Sequence, residues 1–170
     1  MLTGFQLRAA RSSLSLYLKD VSGALGIHAS TLTRLEAHTP NLSYINSNTR
    51  TSLLLQKFYQ DRGIIFPHYN SIGIRHKGCD SKINSQFSRF QLKISRIALR
   101  MSRKELGNTL HIPETSIAGW ETGKNLLSTF SPQDKNIINT IKSYFYNKGI
   151  IYKEFNIVEL LDDPVAINSK

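Results

Sequence analysis

The chain carries one pattern twice, and that repetition restricts its fold more than any other feature. "FQLRAARSSLSL" opens at Phe5 and "FQLKISRIALRM" opens at Phe90, an offset of 85 residues. The offset holds without a gap from Thr3/Ser88 to Glu36/Glu121. Along it Arg8 meets Lys93, Arg11 meets Arg96, Val21 meets Leu106, Leu25 meets Leu110, Ile27 meets Ile112, Leu32 meets Ile117 and Leu35 meets Trp120. "RGIIF" at 62–66 then returns as "KGIIY" at 148–152, one residue out of step, which one inserted residue in the intervening loop explains. Chance matches at a few apolar positions do not produce so long a gapless run with a second echo behind it. A repeat of this period is a structural unit. Each copy must close a core from roughly 75 residues, a size that leaves a modest stability margin. The expected organisation is a first unit over 1–77, a linker over 78–87, a second unit over 88–161 and a tail over 162–170.

Local signals predict four helices and a hairpin per unit. Thr3-x-x-Gln6 and Ser88-x-x-Gln91 are capping boxes, in which side chains satisfy the unpaired N–H groups of a helix start. The first helix should run to about Ser13 in one unit and Leu99 in the other. Ser102-x-x-Glu105 opens a second helix over about 103–110, whereas its counterpart over 18–25 begins after Tyr17, a poor cap whose helix end is expected to fray. Third helices follow over about 29–37 and 114–122, after turns at "LGIH" and "LHIP". The fourth spans about 48–62 in unit one, with Leu54, Leu55, Phe58 and Tyr59 at helical spacing. In unit two it is expected to open at "SPQD", with Ser131 as cap, Pro132 at the first position and Asp134 closing the box, and to carry Ile137, Ile138, Ile141, Tyr144 and Phe145. Gly63 and Gly149 are the expected stops. The β-branched and aromatic runs after them read as small hairpins, with Pro67 placing its strand at an edge or ending it.

The charge points to a polyanionic partner. The formal net charge is +10 on 170 residues. It is spread along the chain, with 10 Lys/Arg against 4 Asp/Glu in residues 1–85 and 12 against 8 in 86–170, so no basic tail accounts for it. Excess positive charge of this kind favours nucleic acid, and more weakly an acidic membrane surface. No apolar run approaches the ~18–20 residues of a membrane span, and "MLTGFQLRAAR" lacks a signal peptide's apolar core and cleavage site. Cys79 is the single cysteine and falls in a polar stretch. A reducing, cytoplasmic location is the expectation.

The second and third helices set Val21, Leu25, Ile27, Leu32 and Leu35 inward, Ser22 where two helices cross closely, Gly26 in the tight turn and Glu36 at the end. This arrangement resembles the lambda-repressor/Cro-type helix-turn-helix family, the XRE family. "GFQLRAARSSLSLYLKDVSGALGIHASTLTRLE" followed by "LLLQKFYQDRGIIF" and "GIRHK" is similar to a bacterial branch in which a four- or five-helix domain ends in a glycine, a short strand and a hairpin. The likeness covers about 3–77, and 88–161 more loosely. In unit two His111 replaces the turn glycine, Gly107 takes the small-residue site and Trp120 replaces the last core leucine. The implied fold class is mainly α: two tandem lambda-repressor-like domains, each followed by a short β-hairpin. The implied function is transcription regulation by sequence-specific binding of double-stranded DNA.

In such domains the third helix enters the major groove. By this resemblance the base-reading positions are Ala29, Ser30, Thr33 and Arg34 in unit one and Glu114, Thr115, Ala118 and Gly119 in unit two. Hydroxyls suit several base edges, an alanine methyl suits a thymine methyl, and Arg34 can pair bidentately with guanine. The face of unit two is poorer, since Glu114 is repelled by phosphate and Ala118 and Gly119 offer almost no hydrogen bonding. Expected backbone contacts are Arg8, Lys19, His28 and Arg50 in unit one and Lys93, Arg103, Lys104, Lys124 and Asn125 in unit two, with His28, at the cap position of the third helix, open to a capping or a phosphate role. Arg11 and Arg96 have two available partners, phosphate or the glutamates Glu36 and Glu121 of their own units.

Other chemistries find little support. The five histidines and Cys79 show no metal-ligand spacing, so neither metal nor cofactor is expected. No phosphate-binding glycine loop or nucleophile elbow occurs, and an enzyme is not expected. The partner is then DNA rather than membrane. One chain would act as a monomeric pseudo-dimer on adjacent major grooves ~34 Å apart, or as a homodimer joined through hairpin edges. The competing reading is a protein-interaction module on a helix-turn-helix scaffold, antitoxin-like or regulator-binding, which the weak polar reach of unit two would suit.

Overall fold

A computed structural model of the chain describes residues 2–37, 42–75, 87–122, 127–128, 130 and 134–161. It divides into two compact units, Met1–Arg75 and His76–Lys170. Most of the expected linker, with Cys79, and the whole expected tail lie outside the described residues. Among the described residues the chain is mainly helical, with short antiparallel strands. Unit one contains α1 (Gly4–Ser13), α2 (Leu18–Leu25), α3 (Ala29–Glu36), α4 (Thr49–Gln60), β1 (Ile64–Ile65) and β2 (Ser71–Ile74). Unit two contains α5 (Arg89–Ala98), α6 (Arg103–Leu110), α7 (Glu114–Glu121), α8 (Lys135–Asn147), β3 (Ile150–Ile151) and β4 (Ile157–Leu160).

Most helix starts have an identifiable cause. The Gln6 N–H donates to Thr3 Oγ1 at 3.2 Å while the Thr3 N–H donates to Gln6 Oε1 at 3.0 Å. Ser88 and Gln91 exchange the same two bonds at the same lengths. α1 and α5 end where the chain reverses at Ser15 (φ 54°) and Arg100 (φ 57°). Tyr17 has no side-chain capping bond, yet α2 starts cleanly at Leu18, because the Asp20 carboxylate accepts from the Tyr17 N–H at 2.7 Å and so supplies half of a capping box. Asn48 caps α4 by accepting from the Thr51 N–H at 2.7 Å. α8 begins at Lys135, later than expected, and Asp134 makes no capping bond; Ser131 and Pro132 lie outside the described residues.

The turn between the second and third helices of each unit needs a left-handed residue. Gly26 supplies it at φ 63° and His111 at φ 56°, where a Cβ is strained. A Cβ at Gly107 would lie 2.5 Å from the Ile112 carbonyl oxygen, so the small residue there is required by close backbone approach. The cores are formed by Phe5, Leu7, Val21, Leu32, Leu35, Leu55, Tyr59, Ile64 and Ile72 in unit one and by Phe90, Leu92, Ile94, Leu106, Ile117, Ile141, Phe145, Ile150 and Val158 in unit two. Leu54 and Ile137, apolar residues at helical spacing in the fourth helices, are exposed at 39% and 41%. The reason is geometric: a helix packed on one side buries a stripe, and both residues fall on its outer edge.

The hairpins close each unit onto its own first helix. β1 pairs antiparallel with β2 (Ile64 opposite Ile74), and β3 with β4 (Ile150 opposite Leu160). Pro67 follows β1 and ends it. Gln6 Nε2 donates to the carbonyls of His68 (2.6 Å) and Ser71 (2.8 Å), and Thr3 Oγ1 to that of Tyr69 (3.3 Å). In unit two Gln91 Nε2 donates to the carbonyls of Glu154 (2.7 Å) and Ile157 (3.3 Å), and Ser88 Oγ to that of Phe155 (2.6 Å). The capping residues of the first helix therefore also satisfy the hairpin turn, and the repeat extends to individual hydrogen bonds.

Candidate nucleic-acid interface

α3 buries Leu32, Leu35 and Glu36 and turns Ser30, Thr33 and Arg34 to solvent, with Ala29 half-buried. The spacing i, i+3, i+4 places the three exposed side chains on one face. Two of them are already oriented. Thr33 Oγ1 donates to the Ala29 carbonyl at 3.0 Å, which directs its lone pairs outward. His28 caps the helix: its Nδ1 accepts from the Ser30 N–H at 3.3 Å and lies 2.7 Å from Ser30 Oγ. Arg34 has no ion pair among the described residues, so its guanidinium is available to an external partner.

The equivalent face of α7 differs. Ile117 and Glu121 are buried, while Glu114, Thr115 and Gly119 are exposed and Ala118 is half-buried. Pro113 stands where unit one has His28 and makes no side-chain capping bond. Trp120 does not fill the core position that Leu35 fills in unit one: it is half-buried, edge-on to the Phe130 ring at 5.3 Å between centroids.

The cations separate into two groups. Arg11 grips Glu36 with Nε and Nη2, both at 2.6 Å, and donates through Nη1 to the Leu16 carbonyl at 3.0 Å. Arg96 treats Glu121 the same way, at 2.7 and 2.6 Å, with Nη1 on the Met101 carbonyl at 2.7 Å. Of their two available partners, both arginines take the internal one. The hydrogen bonds to Glu36 raise the Arg11 pKa, against the opposing effect of burial. Three expected phosphate contacts are drawn into the same clusters. Arg8 Nη1 donates to the Glu36 carbonyl at 2.6 Å. Arg103 Nε donates to Glu121 Oε2 at 2.9 Å. Lys93 is only 7% exposed, and burial pushes its pKa down although Glu121 pulls it back. For Arg8 and Lys93 the physical reason is that α1 and α5 are buried on almost every side, so a cation they carry must be paired within the unit. Lys19, Arg50 and Lys104 are exposed, Lys19 with its ammonium 5.6 Å from the Tyr17 ring centroid. Lys124 and Asn125 lie outside the described residues.

Sequence reasoning left Arg11 and Arg96 between phosphate and their own glutamates and missed Arg103 as a second arginine on Glu121. Of the two roles open to His28, capping or phosphate, the structure shows the cap, through the Ser30 N–H; the contact with Ser30 Oγ was not foreseen. Among the described residues no group of three or more His, Cys, Asp or Glu side chains could hold a metal ion, and no helix is long and apolar enough to cross a membrane. A scan against protein-family models, a search of curated proteins and a search of solved structures each returned no match.

Proposed function

We propose that the chain is a sequence-specific double-stranded DNA-binding protein, a cytoplasmic bacterial transcriptional regulator of the lambda-repressor-like helix-turn-helix type in tandem form. The observation that carries the reading is the outward face of α3. Ser30, Thr33 and Arg34, which makes no ion pair among the described residues, stand together there, whereas Arg11 and Arg96 are committed to internal carboxylates. An arginine without an internal partner, beside two hydroxyls at helical spacing, matches what a major groove presents: guanine acceptors beside amine donors. The net charge of +10 supplies the long-range attraction to phosphate. Lys19 and Arg50 are the exposed candidates for backbone contact in unit one, and Lys104 in unit two. Two units in one chain stand in for the two protomers that single-unit proteins bring to a palindromic site. No cofactor is needed for this activity.

The face of α7 favours a second reading for unit two alone. An exposed Glu114 and short Ala118 and Gly119 side chains suit a protein surface better than a phosphate-lined groove. In this reading unit one reads sequence while unit two docks a partner protein. Selection of binding sites from random duplexes tests both. A motif with a guanine that loses its preference in R34A, by ~1–3 kcal/mol of discrimination, supports the readout by α3. Binding without salt dependence or sequence preference would sink it.

A further inference from the structure

Ser30 is the first exposed hydroxyl of α3, and its neighbour sets its hydrogen-bonding character. His28 Nδ1 accepts from the Ser30 N–H at 3.3 Å, so in this arrangement Nδ1 carries a lone pair and the neutral ring holds its proton on Nε2. In the 2.7 Å contact between Nδ1 and Ser30 Oγ the hydroxyl is then the donor, and Ser30 presents only acceptor lone pairs to the outside. Protonation of the imidazole reverses the contact and gives up the bond from the Ser30 N–H, because a protonated Nδ1 has no lone pair left to accept it. Nδ1–H becomes the donor, Oγ accepts, and the hydroxyl proton is free to turn outward. One proton on His28 exchanges an acceptor for a donor on the exposed face of α3.

We infer that His28 is a positioning residue for Ser30 that couples the base preference of this helix to pH. The inference rests on the DNA reading above. An acceptor at Ser30 suits the amine of cytosine or adenine, whereas a donor suits O6 or N7 of guanine or O4 of thymine. Imidazole is the side chain whose charge ordinarily changes between about pH 5 and 8. Charged groups near α3 come from three helices. α2 contributes Lys19 and Asp20, both in its first turn, about 10 Å along the helix from the α2–α3 turn at 1.5 Å per residue; its last turn carries no charge. α1 contributes Arg8 and Arg11, both held on Glu36 at the opposite end of α3. α3 itself adds Arg34, more than a turn away. Unit two has no such device, since Pro113 occupies the matching position.

Overall affinity is a poor readout, because a charged His28 is opposed by the helix dipole and attracted by phosphate. Base identity is the clean one. The test is selection of random duplexes by the full chain at about pH 5.5 and about pH 8, bracketing the ordinary imidazole range. One position of the selected site is expected to change from an amine-bearing base at high pH towards guanine or thymine at low pH. The expected swing is about fivefold, the size of one net hydrogen bond. H28N, whose Oδ1 can cap the same N–H and which has no proton to gain, is expected to keep one motif at both pH values. A motif identical at both pH values in the unaltered chain, or a swing that persists in H28N, overturns the inference while leaving DNA binding intact. A chain that retains no duplex at either pH overturns the inference together with the reading on which it rests.

Discussion

At the scale of single residues, the buried glutamates decide more than the exposed cations. Glu121 has no side-chain exposure and holds two arginines; Glu36 is 9% exposed and holds one side chain. Removing one member of a buried pair leaves the other charge unsatisfied, at a loss of roughly 3–5 kcal/mol. E121A is therefore expected to destabilise unit two by that amount and E36A unit one by less, read as separate denaturant transitions. R103A, whose guanidinium is 34% exposed, should lower stability by no more than about 1 kcal/mol. A second residue-scale prediction concerns Tyr152. Burial raises its pKa, and its hydroxyl lies 2.8 Å from Ser95 Oγ. An acid whose folded pKa lies above its unfolded value adds stability that is complete below the unfolded value, ~10 for tyrosine, and is lost as pH rises beyond it. Denaturant midpoints of unit two should fall above about pH 10. Y152F should flatten that fall while lowering stability at neutral pH by about 1 kcal/mol through the lost hydrogen bond.

At the scale of elements, the two α2–α3-type turns form an internal comparison. His111 and Gly26 occupy the same left-handed conformation, and only the glycine does so without strain. H111G is expected to stabilise unit two by about 1 kcal/mol, measured as a raised thermal midpoint. G107A should destabilise the same unit by ~1–3 kcal/mol, because the added Cβ meets the backbone oxygen of Ile112, which cannot step aside as a side-chain tip would. The bounds of α2, α3, α6 and α7 were legible in the sequence because each is punctuated by a cap or a turn residue with one physical meaning. That Asp134 makes no capping bond was not, since an acidic residue near a helix start is favourable whether or not it caps. Nor was the fate of Arg8 and Lys93 legible. A sequence displays a charge but not the side of a helix on which it emerges, and α1 and α5 have almost no free side. The exposed face of α3 was better marked, because its exposed positions alternate with Leu32 and Leu35 at helical spacing.

At the scale of the molecule, the division of cations into internal and external sets governs how binding should respond to salt. Each phosphate neutralised on duplex DNA contributes a slope of about −0.9 in the logarithm of affinity against the logarithm of salt concentration. K19A and R50A each expose one contact to this test and should reduce the slope by about one. R8A and K93A should leave the slope unchanged, because those side chains are committed inside their units. Fluorescence anisotropy across a salt series separates the two outcomes. A reversed pattern would move the phosphate contact from the exposed α2 and α4 cations to α1 and α5.

The bonds from Gln6 to His68 and Ser71, and from Gln91 to Glu154 and Ile157, span more than sixty residues in each unit. They tie the beginning of a unit to its end. While the chain is being made, the side chain of Gln6 waits for a partner that emerges last, and no shorter nascent fragment of unit one can complete this closure. Unit two faces the same delay, but with a finished first unit already outside the ribosome. Unit two therefore closes after a copy of its own plan has already been made, so the two repeats live through different histories from nearly the same plan.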